Sequence, residues 1–214
     1  MHETESFWQG DFGDKYTSRN IGNVRNNEAM FAKIQHAMFE AAFLTKKNVH
    51  TAVRDPESVI EFGAGSGENI LAMKARWTNA HYSAVEINPK AYKHLSIIKG
   101  LDIHLESVYD VDVEPAEVVL TKGLLIHIPP ERINDVYDQL YKHSRRYIVI
   151  CEYYNPVPVE VPYRGHAGRL WKRDFAGEML DRFKGLRLVD YGFKYHRDRD
   201  PQDDITWFIL EKGA

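Results

Sequence analysis

The sequence predicts an α/β chain built on one doubly wound sheet, mainly parallel, with an antiparallel strand at its C-terminal edge. Three observations predict it. From residue 57 onward, short apolar runs alternate with stretches of helical spacing, as strands and helices do when they follow one another across a parallel sheet. The first run, Val59-Ile60-Glu61-Phe62, passes straight into Gly63-Ala64-Gly65-Ser66-Gly67, a loop with glycine at alternate positions, and then into a helical stretch. The second run, Tyr82-Ser83-Ala84-Val85, ends in an acid, Glu86, 19 positions after Gly67.

Taken in order, the chain opens with an arm that has no regular pattern. From Asn26 to Leu44, apolar residues at Met30, Phe31, Ile34, Met38, Phe39 and Ala42 keep helical spacing, which predicts a helix lying over the sheet. Strands are expected near 58–63, 82–86, 101–106, 117–121, 145–151, 186–193 and 204–211, with helices near 67–76, 88–98, 130–142 and 172–183. The connection Lys194 to Asp203 is polar and lacks helical spacing, so the last two strands should form a long hairpin and supply the antiparallel edge. No internal repeat or low-complexity linker divides the sequence. Residues 1–214 are therefore expected to form a single Rossmann-like domain, with 1–45 as an arm and helix over a ligand and with loops building any second pocket.

Composition narrows the function classes. With 43% hydrophobic and 28% charged residues over 214 positions, the chain can bury a sizeable core, which excludes the disordered class. A formal charge of −3 gives no general basic footprint, so nucleic acid is an unlikely partner. The one cysteine, Cys151, ends the apolar run Tyr147-Ile148-Val149-Ile150; no intrachain disulfide is possible, a buried thiol is expected, and a cytoplasmic location fits. The first thirty residues carry Glu3, Glu5, Asp11 and Asp14 without a long apolar core, and no apolar span approaches the ~18 residues a membrane helix needs, so neither signal peptide nor membrane insertion is expected. No Cys/His cluster has zinc spacing, and no metal is expected.

A glycine loop between strand and helix lets the backbone approach a nucleoside closely, and an acid at the end of the next strand can accept both ribose hydroxyls. A dinucleotide fingerprint would place its third glycine at position 68 and leave the helix start free for pyrophosphate. Here position 68 is glutamate, whose carboxylate competes for that positive potential but does not oppose a cofactor without phosphates. The pattern Glu61-x-Gly63-x-Gly65-x-Gly67, with Glu86 behind it, resembles the first two motifs of class I S-adenosylmethionine-dependent methyltransferases. The blander account, a tight turn and a solvated strand end, explains the glycines but not their joint spacing with Glu86.

In an open α/β sheet, ligands collect beyond the carboxyl ends of the strands. On that resemblance, Glu61 is expected among the cofactor-binding residues, Gly63, Ala64 and Gly65 at the methionine part, Glu86 at the ribose and Ile87 at the adenine face; Ser107 and Val108, with Glu106, are expected at the adenine edge. Lys122 ends the fourth strand and either binds an anionic group or reaches solvent. His127 is either a proton acceptor or a hydrogen-bonded structural histidine.

Three further stretches narrow the match: Phe7-Trp8-Gln9-Gly10-Asp11-Phe12-Gly13-Asp14-Lys15-Tyr16-Thr17-Ser18-Arg19-Asn20, Thr121-Lys122-Gly123-Leu124-Leu125-Ile126-His127-Ile128 and Lys172-Arg173-Asp174-Phe175-Ala176-Gly177-Glu178-Met179. Together they resemble the pseudaminic acid biosynthesis-associated methylase family. The resemblance implies a small bacterial S-adenosylmethionine-dependent methyltransferase that modifies a sugar or sugar nucleotide bound for a surface glycan. The arm has a physical reading of its own. Trp8, Phe12 and Tyr16 can close over the cofactor with aromatic faces toward its sulfonium, and Arg19 or Asn20 can bind its carboxylate; the alternative is that they pin the arm to the core.

The acceptor side is expected after the fourth and fifth strands. Arg164, Arg169, Lys172 and Arg173 cluster there with Tyr163, His166 and Trp171, a set suited to an anionic acceptor, although charge runs are often simply solvated. Tyr153 and Glu152 end the fifth strand nearby. His127, His166 and Glu152, in that order, are the candidate proton acceptors, and methylation of nitrogen and of oxygen both remain open. Two other readings stand beside this one: a catalytically silent S-adenosylmethionine-binding accessory protein, and a methyltransferase of RNA or protein.

Overall fold

The computed structural model describes residues 3–20, 22–45 and 55–213. Residues 1, 2, 21, 46–54 and 214, which include parts of the expected 1–45 arm and both ends of the expected 1–214 domain, lie outside the described residues. The helices are α1 (Glu3–Gln9), α2 (Asp11–Arg19), α3 (Val24–Thr45), α4 (Glu68–Lys74), α5 (Pro89–Leu95), α6 (Ile133–His143) and α7 (Phe175–Arg182). The strands are β1 (Ser58–Phe62), β2 (His81–Glu86), β3 (Leu101–Leu105), β4 (Ala116–Lys122), β5 (Ser144–Glu152), a short pair β6 (Val159–Glu160) and β7 (Trp171–Lys172), β8 (Leu186–Lys194) and β9 (Ile205–Lys212).

Seven strands make one sheet in the order β3-β2-β1-β4-β5-β9-β8. The first five run parallel, while β9 pairs antiparallel with β5 on one side and with β8 on the other, so the expected hairpin supplies the antiparallel element and β8 forms the rim. Successive residues of the central strands alternate between two cores. Ile60, Phe62, Val119, Ile148 and Ile150 face α6 and α7, where Val136, Leu140, Phe175 and Met179 meet them. Val59, Val118, Leu120 and Val149 face α3 and α4, where Met30, Phe31, Ile34 and Ile70 close the other side. Burial on both faces is why these strands read as continuous apolar runs, and each such side chain contributes about 1.5–3 kcal/mol by leaving water.

One expectation is corrected. The arm expected to be irregular is two helices, α1 and α2, joined at Gly10. Seven and nine residues are too few to show a clear apolar stripe, and such short helices depend on packing rather than propensity. Their junction is tight: a Cβ at Gly13 would lie 1.8 Å from the Trp8 carbonyl oxygen.

Candidate active site beneath the N-terminal helices

Strand order reverses between β1 and β4, and a cavity of about 340 Å³ opens beyond their carboxyl ends. Its floor at one end is the glycine loop. Gly63 and Gly65 have φ of +73° and +55°, the left-handed region that L side chains rarely adopt. The Gly63 and Ala64 N–H groups donate to the Val85 carbonyl at 2.9 and 3.1 Å, which ties the loop to β2. At the end of β2, the Glu86 carboxylate accepts from the N–H groups of Gly65 (2.7 Å), Ile87 (2.9 Å) and Asn88 (2.8 Å). Burial raises its affinity for a proton, and the three donors pull the other way.

Glu61 lies fully buried behind this loop. Its Oε1 accepts from Asn69 Nδ2 at 2.6 Å, whereas Oε2 and the Asn69 carbonyl oxygen have no hydrogen-bond partner among the described residues. Asn69 lines the cavity and Lys122 stands on the wall nearby. The Asn69 carbonyl oxygen, a buried acceptor without a donor beside a loop open enough that a Cβ at Gly65 would meet nothing within 4 Å, fits the ammonium-bearing end of a small nucleoside cofactor. Burial pushes the Glu61 carboxyl up to about 8, against the pull of Asn69 and Lys122. A carboxyl raised on folding contributes stability that is fully present below its ordinary value near 4.5 and is lost as pH rises through about 8. Glu61→Gln, which does not titrate, should therefore gain stability relative to the parent between pH 4.5 and pH 8, by a few kcal/mol as an order of magnitude. Parallel chemical denaturation of the ligand-free proteins across that range measures the difference, and a constant gap would refute it.

The roof is the α1–α2 pair, held by three sets of bonds, with a fourth on the chain between α2 and α3. Ser107 Oγ donates to Glu5 at 2.5 Å. Asn88 accepts the first N–H groups of α5 with its Oδ1 and donates through Nδ2 to the Trp8 carbonyl and to Asp14, each at 3.0 Å. Glu68, at the start of α4, accepts from the N–H groups of Gly22 (3.1 Å) and Asn23 (2.8 Å), just before α3. Arg169 pairs with Glu3 and lies over the Phe7 ring. Beneath the roof, Trp8 stacks at a tilt on His127, with centroids 4.5 Å apart, and edge-on against Tyr16 at 5.3 Å.

The opposite end of the cavity is built on the turn after β4. A single turn of 3₁₀ helix, Leu125–His127, follows Gly123, and the Glu152 carboxylate at the end of β5 holds it by accepting from the N–H groups of Leu124 and Leu125 at 3.0 Å and of Ile126 at 3.4 Å. Burial pushes Glu152 up to about 7, and those three N–H groups oppose the shift. His127 Nδ1 is 2.7 Å from the Arg169 carbonyl oxygen, which can only accept, so Nδ1 carries the hydrogen and Nε2 the lone pair. Burial pulls this histidine down to about 4, and it is neutral at pH 7. Tyr16, Tyr153 and Tyr163 complete the wall with Arg164 and Asp203. Arg164 (φ +50°) and Gly165 (φ +84°) are the central pair of a tight turn closed by Tyr163 and His166, which carries the guanidinium to the rim.

The fold thus gathers most of the candidate residues. Tyr16, Asn20, Gly63, Ala64, Gly65 and Glu86 line one cavity with Ile87, Ser107, Val108 and Lys122. His127, Glu152, Tyr153, Tyr163 and Arg164 share the same wall. Five candidates are not on it. Glu61 sits behind its Asn69 partner; Arg19 is exposed in a surface hollow with Lys15 and Lys90. His166 is exposed and packs against Phe7 and Phe12; Arg169 is tied to Glu3, and the Lys172 ammonium lies over the Tyr153 ring at 5.2 Å. Sequence reasoning missed Asn69, Asn88 and Asp203. Asn88 carried a usable signal, since an Asn before Pro89 is a common helix cap; Asp203 carried none beyond its place in a polar hairpin connection. Among the described residues, no helix is long and apolar enough to cross a membrane, and no cluster of His, Cys, Asp or Glu could hold a metal ion.

No family model and no curated protein matches the chain. Solved structures do. A 1,6-didemethyltoxoflavin-N1-methyltransferase from Burkholderia thailandensis, with bound 1,6-didemethyltoxoflavin and S-adenosylhomocysteine, aligns at a TM-score of 0.61 and 15% identity over 87% of each chain. The magnesium protoporphyrin IX methyltransferase of Synechocystis PCC 6803, with bound S-adenosylhomocysteine, aligns at 0.64 and 13% over 98% of each chain. Human N-acetylserotonin methyltransferase in complex with S-adenosylmethionine aligns at 0.63 and 12%, over all of this chain and 60% of the human one. At these identities the likeness is one of fold: the chain has the Rossmann-like fold of S-adenosylmethionine-dependent methyltransferases.

Proposed function

We propose that the protein is a class I S-adenosylmethionine-dependent methyltransferase acting on nitrogen or oxygen of a small, anionic sugar or sugar-nucleotide acceptor of bacterial surface-glycan biosynthesis. The observation that carries the reading is the single cavity running from the glycine loop and Glu86 to the Tyr16, Tyr153, Tyr163 and His127 wall, because group transfer needs donor and acceptor in one water-poor space. S-adenosylmethionine supplies a methyl group on positively charged sulfur. Glu86 would hold its ribose, Ile87, Ser107 and Val108 its adenine, and Asn69, backed by Glu61, its ammonium. Tyr16 and Trp8 offer π faces to positive charge under the roof, so α1 and α2 act as a cofactor lid. Support for an anionic acceptor comes from Arg164 and Lys122 on the wall and from the family resemblance.

Incubating the purified protein with isotope-labelled methyl donor and a bacterial extract enriched in sugar nucleotides tests this. Enzyme-dependent label in an acidic sugar derivative is expected. Donor binding without any labelled small molecule would overturn it in favour of a silent accessory protein, and label in RNA or protein would overturn the acceptor class.

A further inference from the structure

Resting on that reading, we infer that the acceptor atom is an amine nitrogen, received by the Asp203 carboxylate together with the hydroxyls and ring faces of Tyr16, Tyr153 and Tyr163. These side chains reach one cavity wall from four separate segments: α2, the end of β5, the turn between β6 and β7, and the β8–β9 connection. Burial, and after it nearby groups that include Asp203, raises the affinity of Tyr16 and Tyr153 for the phenolic proton, and both hydroxyls keep their hydrogen near neutrality. Its neighbours are committed elsewhere: Asp204 accepts from the His196 backbone and pairs with its ring, and Asp200 pairs with Arg199. Asp203 is exposed and has no hydrogen bond or ion pair among the described residues, and it lines the cavity together with the three tyrosines. A solvent-reaching carboxylate at the edge of a cavity that tyrosine rings and hydroxyls also line is suited to an amine.

Proton accounting differs between the two kinds of acceptor. A hydroxyl acceptor must shed its proton as oxygen takes the methyl group, a step in which Asp203 or Glu152 would have to serve as base. A neutral amine needs no base in that step. Its lone pair forms the N–C bond, the S–C bond breaks with its electron pair left on sulfur, and the positive charge passes from sulfur to nitrogen. The extra proton leaves to water afterwards, and an acceptor arriving as ammonium releases one to water first. Asp203 faces the charge that appears on nitrogen.

The test uses the full chain saturated with S-adenosylhomocysteine. Cyclohexylamine and cyclohexanol, six-membered rings that differ in the one polar group, are titrated separately and followed by ligand-observed NMR, for the parent and for Asp203→Asn. The amine is expected to bind about 10-fold or more tightly than the alcohol, and Asp203→Asn to remove most of that preference. Equal binding of the two probes, no binding of the amine, or a preference that survives in Asp203→Asn overturns the inference. Calorimetry of S-adenosylhomocysteine itself separates the two levels: failure of that ligand to bind overturns the methyltransferase reading and this inference with it, whereas normal binding with an indifferent amine overturns the inference alone.

Discussion

Replacing Glu86 with alanine is expected to weaken S-adenosylmethionine binding by about 100-fold or more, the largest effect of any single substitution on the cofactor side. Two losses add. The ribose loses the carboxylate that would accept its hydroxyls, and the Gly65, Ile87 and Asn88 N–H groups lose the acceptor that fixes the glycine loop against the end of β2. Hydrogen bonds to a charged group contribute about 1.5–3 kcal/mol each, and donors left without a partner in a buried loop cost a comparable amount. Calorimetric titration measures the first loss and thermal melting without ligand the second. Affinity within a few-fold of the parent would remove Glu86 from the site.

Glu152→Gln should lower stability and turnover together. The carboxylate offers two acceptor oxygens to three N–H groups, and an amide at the same place keeps one oxygen and turns a donor toward the rest. With a penalty of about 1–3 kcal/mol, a chain of this length should melt several degrees lower, at roughly 2–4 °C per kcal/mol. The turn carrying Ile126 and His127 is what Glu152 anchors, so kcat should fall by about 10-fold or more as the acceptor wall loosens. The paired outcome matters, because Glu152 was also a candidate proton acceptor. Lost turnover with an unchanged melting temperature would restore that role and weaken the case for an amine acceptor.

The framework was legible because its signals are local. Strands buried on both faces write continuous apolar runs, and a strand, a glycine loop and a helix in succession, with an acid closing the next strand, mark the cavity end that Gly63, Gly65 and Glu86 now form. What escaped was set by partners distant in sequence. The α1 and α2 helices are too short to announce themselves and owe their position to Ser107 and Asn88, which lie 80 or more residues from their partners Glu5 and Trp8 along the chain. Charge in the 164–173 segment was visible, but the contacts that occupy it were not: Glu3 takes Arg169 and Glu178 takes Arg173, leaving Arg164 to face the cavity. Asp203 lay in a connection whose composition suggested only solvent.

The Glu68 carboxylate, bonded to the chain just ahead of α3, couples ligand choice to the shape of the protein. A phosphate-bearing ligand seeking the start of α4 would have to displace that carboxylate and, in doing so, release the chain between α2 and α3. Exclusion of phosphate from the start of α4 is thus tied to the backbone that leads into α3, and not to one residue's charge alone.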